Sequence, residues 1–212
     1  MPRTADHEQR RRQIAVAVCD LIAEDGFDAV TVARTAAAAG ISVGLVQHYF
    51  RTKDDMLLHA FTHVGASIRR RIDERIRAGA ENRRPISQVL AGSLVEFLPL
   101  DAERRAEFRV AKAFQGRALD APALAEVDVA TARALLDELA RAVHNGKECG
   151  EVEPALDPRP AAARLLAVTD GLAMQAYRDP AGLAEIAPAI IETELAAVFT
   201  GECRQYQDTR RP

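Results

Sequence analysis

One run of twenty residues, Thr31 to Phe50, constrains this chain more than any other: TVARTAAAAGISVGLVQHYF. Thr31 is a hydroxyl residue of the kind that caps a helix N-terminus. The alanines that follow are the best helix formers, and their small side chains let one helix lie close against another. At Gly40 a helix can stop, because glycine takes positive φ without steric cost. Ile41 is an apolar plug behind that turn, Ser42 can cap a second helix, and Val43 to Tyr49 supply it. Two short helices hinged by a glycine turn form the helix-turn-helix unit, whose second helix enters the DNA major groove.

Charge points the same way. From Ala29 to Lys53 the chain has three basic residues, Arg34, Arg51 and Lys53, and no acidic one. Overall it has 28 Lys+Arg against 31 Asp+Glu, a formal net charge of −3. An acid-free segment inside an acidic protein is a candidate surface for a polyanion. A pair of small core helices with a chance gap in acids is the alternative. A net negative chain is not a non-specific nucleic-acid coat, so any DNA binding has to come from a local patch.

The rest of the composition sets the fold class. With 48% apolar and 28% charged residues over 212 positions, there is material for a sizeable core in one or two domains. Alanine is abundant and β-branched runs are scarce, so the chain is expected to be all-α. No stretch approaches the roughly 20 apolar residues of a membrane span. The polar N-terminus lacks the apolar core of a signal peptide, which predicts a cytoplasmic protein with no membrane partner. Cys19, Cys149 and Cys203 are odd in number and far apart in sequence, which argues against a disulfide framework or a zinc cluster.

Helical periodicity and capping residues divide the remainder. A first helix is expected over residues 8–25, with Ile14, Val18, Leu21 and Ile22 inward and Arg10, Arg11 and Arg12 at its start. Cations there oppose the helix dipole, so they suit phosphate contacts or form a solvated basic turn. Thr52 caps a helix running to about residue 77, with Asp54 and Asp55 favouring its positive end. Further helices are predicted over 85–98, from Asp101 to a loop bracketed by Gly116 and Pro122, and over 122–144, closed by Asn145-Gly146. Asp157-Pro158 starts another over 158–178, and a last one spans 183–199. The tail, 202–212, is polar and expected to fray. The last two helices are apolar on more than one face and carry Ala161, Ala162, Ala163, Ala167, Gly171 and Ala173. They are therefore the candidate homodimer face, with a tightly packed monomeric core as the alternative.

The pattern resembles the TetR family of bacterial transcriptional regulators. The carrying residues are Gly26-Phe27, Thr31-Val32, Ala39-Gly40-Ile41-Ser42, Gly44, and Tyr49-Phe50 followed by Lys53 and Leu57. The match is specific over about residues 8–60. Leu98-Pro99-Leu100-Asp101 to Arg109, with Asp170-Gly171-Leu172, looks like the regulatory half of the choline-responsive BetI-type branch. The resemblance implies an N-terminal three-helix DNA-binding bundle, residues 1–52, and a larger helical effector-binding and dimerisation domain, residues 53–212. By position, Thr31, Ser42, Tyr49 and Lys53 would hold phosphates, while Val43, Leu45, Gln47 and His48 would approach base edges or the adjoining backbone. It implies a double-stranded DNA operator with an inverted repeat, a small-molecule effector and a twofold dimer. Two departures stand out. Gln47 replaces an aromatic residue, and an amide can make a bidentate contact to adenine. Val32-Ala33-Arg34 replaces an acidic-Ile-Ala run, which makes Arg34 a further candidate phosphate contact.

Other chemistry is thin. His59 and His63 have metal-ligand spacing on a helix, but Ala60 stands where a metalloprotease motif needs Glu, and no third ligand is visible. With no phosphate-binding glycine loop and no nucleophile elbow, neither a cofactor nor an enzyme is expected. Candidate effector contacts are Phe61, Phe97, Phe108, Lys112, Phe114, Asp170, Met174 and Tyr177, each of which could equally be ordinary core. Lys112 falls among apolar neighbours and wants a polar partner, with Asp170 as a candidate counterpart. Three functions stay open: a ligand-responsive repressor, a helical ligand-binding protein without operator binding, and an enzyme on a helical scaffold.

Overall fold

The computed structural model describes residues 2–204, with side chains from His7 onward. Nine α-helices and no strand are present among the described residues. They are α1 (Pro2–Asp25), α2 (Val32–Ala39), α3 (Val43–Tyr49), α4 (Lys53–Glu81), α5 (Ile86–Val95), α6 (Ala102–Ala118), α7 (Pro122–Cys149), α8 (Pro158–Arg178) and α9 (Leu183–Ala196). Two compact units result: Met1–Ser67 with Asp101–Asp128, and Ile68–Leu100 with Val129–Pro212. The sequence boundary at residue 52 falls where α4 starts, whereas compactness groups the first part of α4 and all of α6 with the N-terminal helices.

In the first unit the local chemistry of the turns sets the geometry. Gly26, at φ 84°, ends α1. Thr31 Oγ1 accepts from Arg34 N at 3.2 Å and Ser42 Oγ from Leu45 N at 3.2 Å, so each short helix carries the hydroxyl cap that its sequence offers. Gly40 sits at φ 64°, and Ile41 N bonds Ala36 O at 3.0 Å across the turn. At the start of α4 the caps are reciprocal: Thr52 Oγ1 accepts from Asp55 N at 3.0 Å, while the Asp55 carboxylate accepts from Thr52 N at 2.9 Å. Ile14, Val18, Val30, Val46, Leu57 and Phe114 are fully buried and fill the core. α6 packs on α1, where the Arg109 guanidinium donates to Ala23 O.

The second unit is built on α8 against α9 and α5 against α9. Leu98, Val143, Leu165, Ile191 and Leu195 are at most 2% exposed there. Asp101 and Asp157 cap α6 and α8 as their sequence predicts. The carboxylate of Glu96, 2% exposed, is held by Arg71 Nε at 2.7 Å and Arg75 Nε at 2.6 Å. A buried carboxylate of this kind is tolerable only with such partners.

Several boundaries differ from the sequence reading. α1 begins at Pro2, so Arg10 to Arg12 lie inside a helix and not in its first turn. α6 runs through Gly116 to Ala118, α5 stops at Val95, and α9 stops at Ala196. α7 continues through Asn145-Gly146 to Cys149. Packing explains that glycine: a Cβ on Gly146 would lie 2.6 Å from Val152 and 2.8 Å from Phe199. The positive-φ stop falls instead at Gly150, φ 93°. Of the tail expected to fray, residues 205–212 lie outside the described residues. Its beginning is held by Arg204 N on Cys149 O at 2.7 Å, just after Gly201 N bonds Glu151 O at 3.0 Å.

That return of the chain brings together two cysteines that sequence distance had separated. One ligand atom each of Cys149, Glu151 and Cys203 lies within 4.8 Å of the others. Glu151, 1% exposed, is occupied as a helix cap. Oε1 accepts from Ile86 N at 2.7 Å and the Cys149 thiol at 3.2 Å; Oε2 accepts from Ser87 N at 3.0 Å and Ser87 Oγ at 2.7 Å. Burial pushes the Cys149 thiol up to about 12, so it is a protonated donor to that carboxylate.

Candidate nucleic-acid interface and effector cavity

The outward face of α3 follows from its inward one. Val46 is 0% exposed and Phe50, just past the helix, 3%. Those two positions turn Val43, Gly44, Gln47 and His48 outward, all of them exposed. Val43 is 44% exposed, an apolar side chain left on the surface of a seven-residue helix. Leu45 is half-buried. Tyr49 is also half-buried, its ring 4.7 Å from that of His7 and 5.3 Å from that of His48. Thr31 and Ser42 are exposed beside this face as the caps of α2 and α3.

The two cations are already engaged. Lys53 Nζ lies 4.1 Å from the centre of the Phe27 ring and 3.4 Å from Asp28 O. Arg34 is paired with Asp25, an acid just outside the acid-free run, and both side chains are about half exposed. Surface pairs of this kind are weak and open readily, so either cation can exchange its present partner for a phosphate. Arg11 lies over the Phe50 ring at 5.5 Å, and Arg10 donates to Gln13 at 2.9 Å. His59 packs at 5.2 Å on the Phe50 ring, with its Nε2 buried and unbonded. Burial, with Arg11 nearby, lowers its pKa. The ligand cluster found among the described residues includes neither His59 nor His63.

A cavity of about 330 Å³ opens within the second unit. The far half of α4 gives it Ile72 and Ile76, α5 gives Val89, Leu90 and Leu94, α7 gives Leu135 and Leu139, and α8 gives Leu166. Phe97, in the turn after α5, is its single aromatic residue. Its charged lining is Arg69, Arg84 and Glu138, of which Arg69 and Glu138 are paired with each other.

Of the eight effector candidates, Phe97 alone lines this cavity. Phe61 and Phe114 stack on each other in the first unit, centroids 3.9 Å apart and 5° from parallel. Phe108 is buried in the same unit, and Lys112 lies 5.2 Å from its ring while donating to Gln115 at 3.0 Å. Met174 and Tyr177 are half-buried and Asp170 exposed, all on α8. The lining residues Leu90, Leu94, Leu135 and Leu139 lie in the helices expected over 85–98 and 122–144 and carry no signal that distinguishes them. An apolar stripe has the same period whether it meets another stripe or a void.

Comparison with known proteins agrees with the architecture. The family profile described as bacterial regulatory proteins of the tetR family matches residues 14–60. The profile of the BetI-type transcriptional repressor C-terminal domain matches residues 87–200. The chain is 29% identical over 180 residues to the HTH-type transcriptional regulator PksA of Bacillus subtilis, covering 85% of this chain and 84% of that protein. It is 28% identical over 180 residues to the HTH-type transcriptional regulator BetI of Escherichia coli, covering 83% and 86%. A transcriptional regulator from Rhodococcus superposes with a TM-score of 0.77 at 29% identity, over 90% of this chain and 96% of the other. A regulator from Saccharomonospora viridis, solved in complex with choline, shares the fold at a TM-score of 0.74 and 20% identity, over 88% and 95%. Among the described residues no helix is long and apolar enough to cross a membrane. With an N-terminal helix-turn-helix whose second helix turns an uncommitted face outward, and with more than half its length in a regulatory domain of one type, the chain belongs to the TetR family of bacterial transcriptional regulators, its C-terminal half being of the BetI type.

Proposed function

We propose that this protein is a cytoplasmic, homodimeric repressor that binds a palindromic operator through α3 and is released from it by a small molecule. The observation that carries the reading is the exposed α3 face of Val43, Gly44, Gln47 and His48, on a helix whose other side is anchored by Val46 and Phe50. In the bound state Gln47 and His48 meet base edges, with Val43 and Leu45 beside them. Thr31, Ser42, Tyr49, Lys53 and, once its pair with Asp25 opens, Arg34 meet phosphates. Phosphate contacts position the head and base contacts specify the sequence. The functional division at residue 52 separates this head from the effector and dimerisation half.

The dimer forms through α8 and α9. Supporting this are the exposed Ala163, Ala167, Asp170 and Gly171 of α8 and the exposed Ile186, Ala189 and Thr193 of α9. Small residues at those places let two helix pairs approach closely, and twofold pairing matches the symmetry of an inverted repeat.

The test is binding to the DNA upstream of the chain's own gene, with a salt titration. Tight, salt-dependent binding to one short inverted repeat is expected. Lys53→Gln should weaken all sites alike and lower the salt slope by about one counterion. Gln47→Ala should cost about 1–3 kcal/mol at its cognate base and relax preference at that position only. Equal, weak binding to every sequence tested would overturn the reading in favour of a ligand-binding protein without an operator.

A further inference from the structure

We infer that the cavity of the second unit takes an apolar effector with an anionic head group and discriminates against quaternary ammonium compounds. The inference rests on the ligand-responsive reading above and names the chemistry of its ligand. Its body is set by the walls, where Ile72, Leu90, Leu94, Leu135, Leu139 and Leu166 offer hydrocarbon. At about 330 Å³ the space lies at the lower end of small-molecule sites, which suits a medium-length aliphatic or alicyclic molecule.

The head group follows from charge. A quaternary ammonium ion is held by several aromatic faces around it. This cavity has Phe97 alone, and the Phe61–Phe114 stack belongs to the other compact unit. Its one acid, Glu138, is already bound by Arg69. Two cations against one acid leave the lining with a formal excess of one positive charge, and Arg84 carries it. Arg84 makes no side-chain bond or ion pair among the described residues. Its backbone is fixed, since Arg84 N bonds Gly79 O at 2.9 Å where α4 ends, so the side chain starts from a defined point at the cavity edge. A guanidinium fork binds a carboxylate with two parallel hydrogen bonds. The asparagine Asn145, also on the lining and exposed, can donate to the same group.

Three probes of equal chain length separate the alternatives: decanoate, decanol and decyltrimethylammonium, titrated calorimetrically into the full chain below their micelle-forming concentrations. Decanoate is expected to bind at least about tenfold tighter than either of the others, the factor that one charge-assisted contact supplies. Arg84→Gln should weaken decanoate about tenfold and draw its affinity towards that of decanol, while Leu90→Trp, which fills the cavity, should weaken all three. Arg84 is exposed, so its substitution leaves the fold intact. Tightest binding of decyltrimethylammonium overturns the inference, as does decanol matching decanoate, binding of none of the three, or an Arg84→Gln chain with unchanged affinity for decanoate. Operator binding by the ligand-free wild-type chain is measured in parallel. Its failure removes the repressor reading, whatever the probes report about the cavity.

Discussion

Replacing Glu151 by alanine is expected to lower the melting temperature by roughly 6–12 °C, the equivalent of about 3 kcal/mol in a chain of this size. The side chain is 1% exposed and holds the start of α5 through Ile86 N, Ser87 N and Ser87 Oγ. Truncation leaves two helix-start N–H groups without an acceptor in a buried place, at about 1–3 kcal/mol each before relaxation and water entry. It also removes a negative charge from the positive end of a helix. Glu151→Gln, which keeps the shape and one acceptor oxygen, should lose less. Acid provides an independent check. Burial pushes the Glu151 carboxyl up, but the Ser87 hydroxyl and the Ser87 and Ile86 N–H groups outweigh it and hold the group below its ordinary value of 4.5. A carboxyl with a depressed folded pKa stabilises the fold fully above its unfolded pKa, and that contribution is lost as pH falls through the folded value. Denaturation followed by circular dichroism should therefore show the gap between wild type and Glu151→Ala narrowing below about pH 4. A gap already absent at neutral pH would mean that α5 does not depend on this cap.

Chemistry that acts within four residues was legible in the sequence, and chemistry that acts through distance was not. Thr31, Gly40, Ser42, Thr52, Asp101 and Asp157 each announce a helix end by their own side chain or backbone freedom, and each performs that role in the structure. Gly116 and Gly146 carry the same letter as Gly40 but lie inside helices. At Gly146 the space a Cβ would need is taken by Val152, six residues on, and by Phe199, far along the chain. Glu151 reads as a loop residue until the chain around it is folded, because its partners are on α5. The proximity of Cys149 to Cys203, both free thiols, is hidden for the same reason, since it depends on Gly150 turning and residues 201–204 coming back. On the candidate site the split repeats. The α3 residues Val43, Gln47 and His48 come from the family resemblance, and the buried Val46 and Phe50 leave them exposed. The cavity was not legible, because its walls are stripes of leucine and isoleucine whose purpose depends on what fails to fill the space between them.

Gly44→Leu is expected to stabilise the protein while abolishing specific operator binding. Glycine as the second residue of a seven-residue helix costs about 1 kcal/mol relative to a good helix former. Nothing among the described residues requires that cost. Gly44 does not have positive φ, and a Cβ built on it meets no atom within 4 Å. This contrasts with Gly146 and Gly201, where a Cβ would collide with Phe199 or with the backbone of Gly150. The described residues therefore leave a glycine at 44 without an internal reason, which fits a partner outside the chain. Val43, Gln47 and His48 share its exposure, and a helix entering a major groove needs its backbone near the DNA at the end where recognition begins. Leucine should raise the melting temperature by roughly 2–3 °C. It should also reduce operator affinity by roughly a hundredfold or more, towards the non-specific level that remains when docking is lost. Gly44→Ala separates bulk from helix propensity, for it stabilises at least as much and intrudes less, so its operator affinity should fall between the two. Fluorescence anisotropy on the operator, set beside thermal melts of the same preparations, gives both quantities. A leucine chain that is more stable and binds the operator as tightly as wild type would show that the α3 face does not dock against DNA. Opposite movement of stability and affinity is the result that a loss of fold cannot imitate.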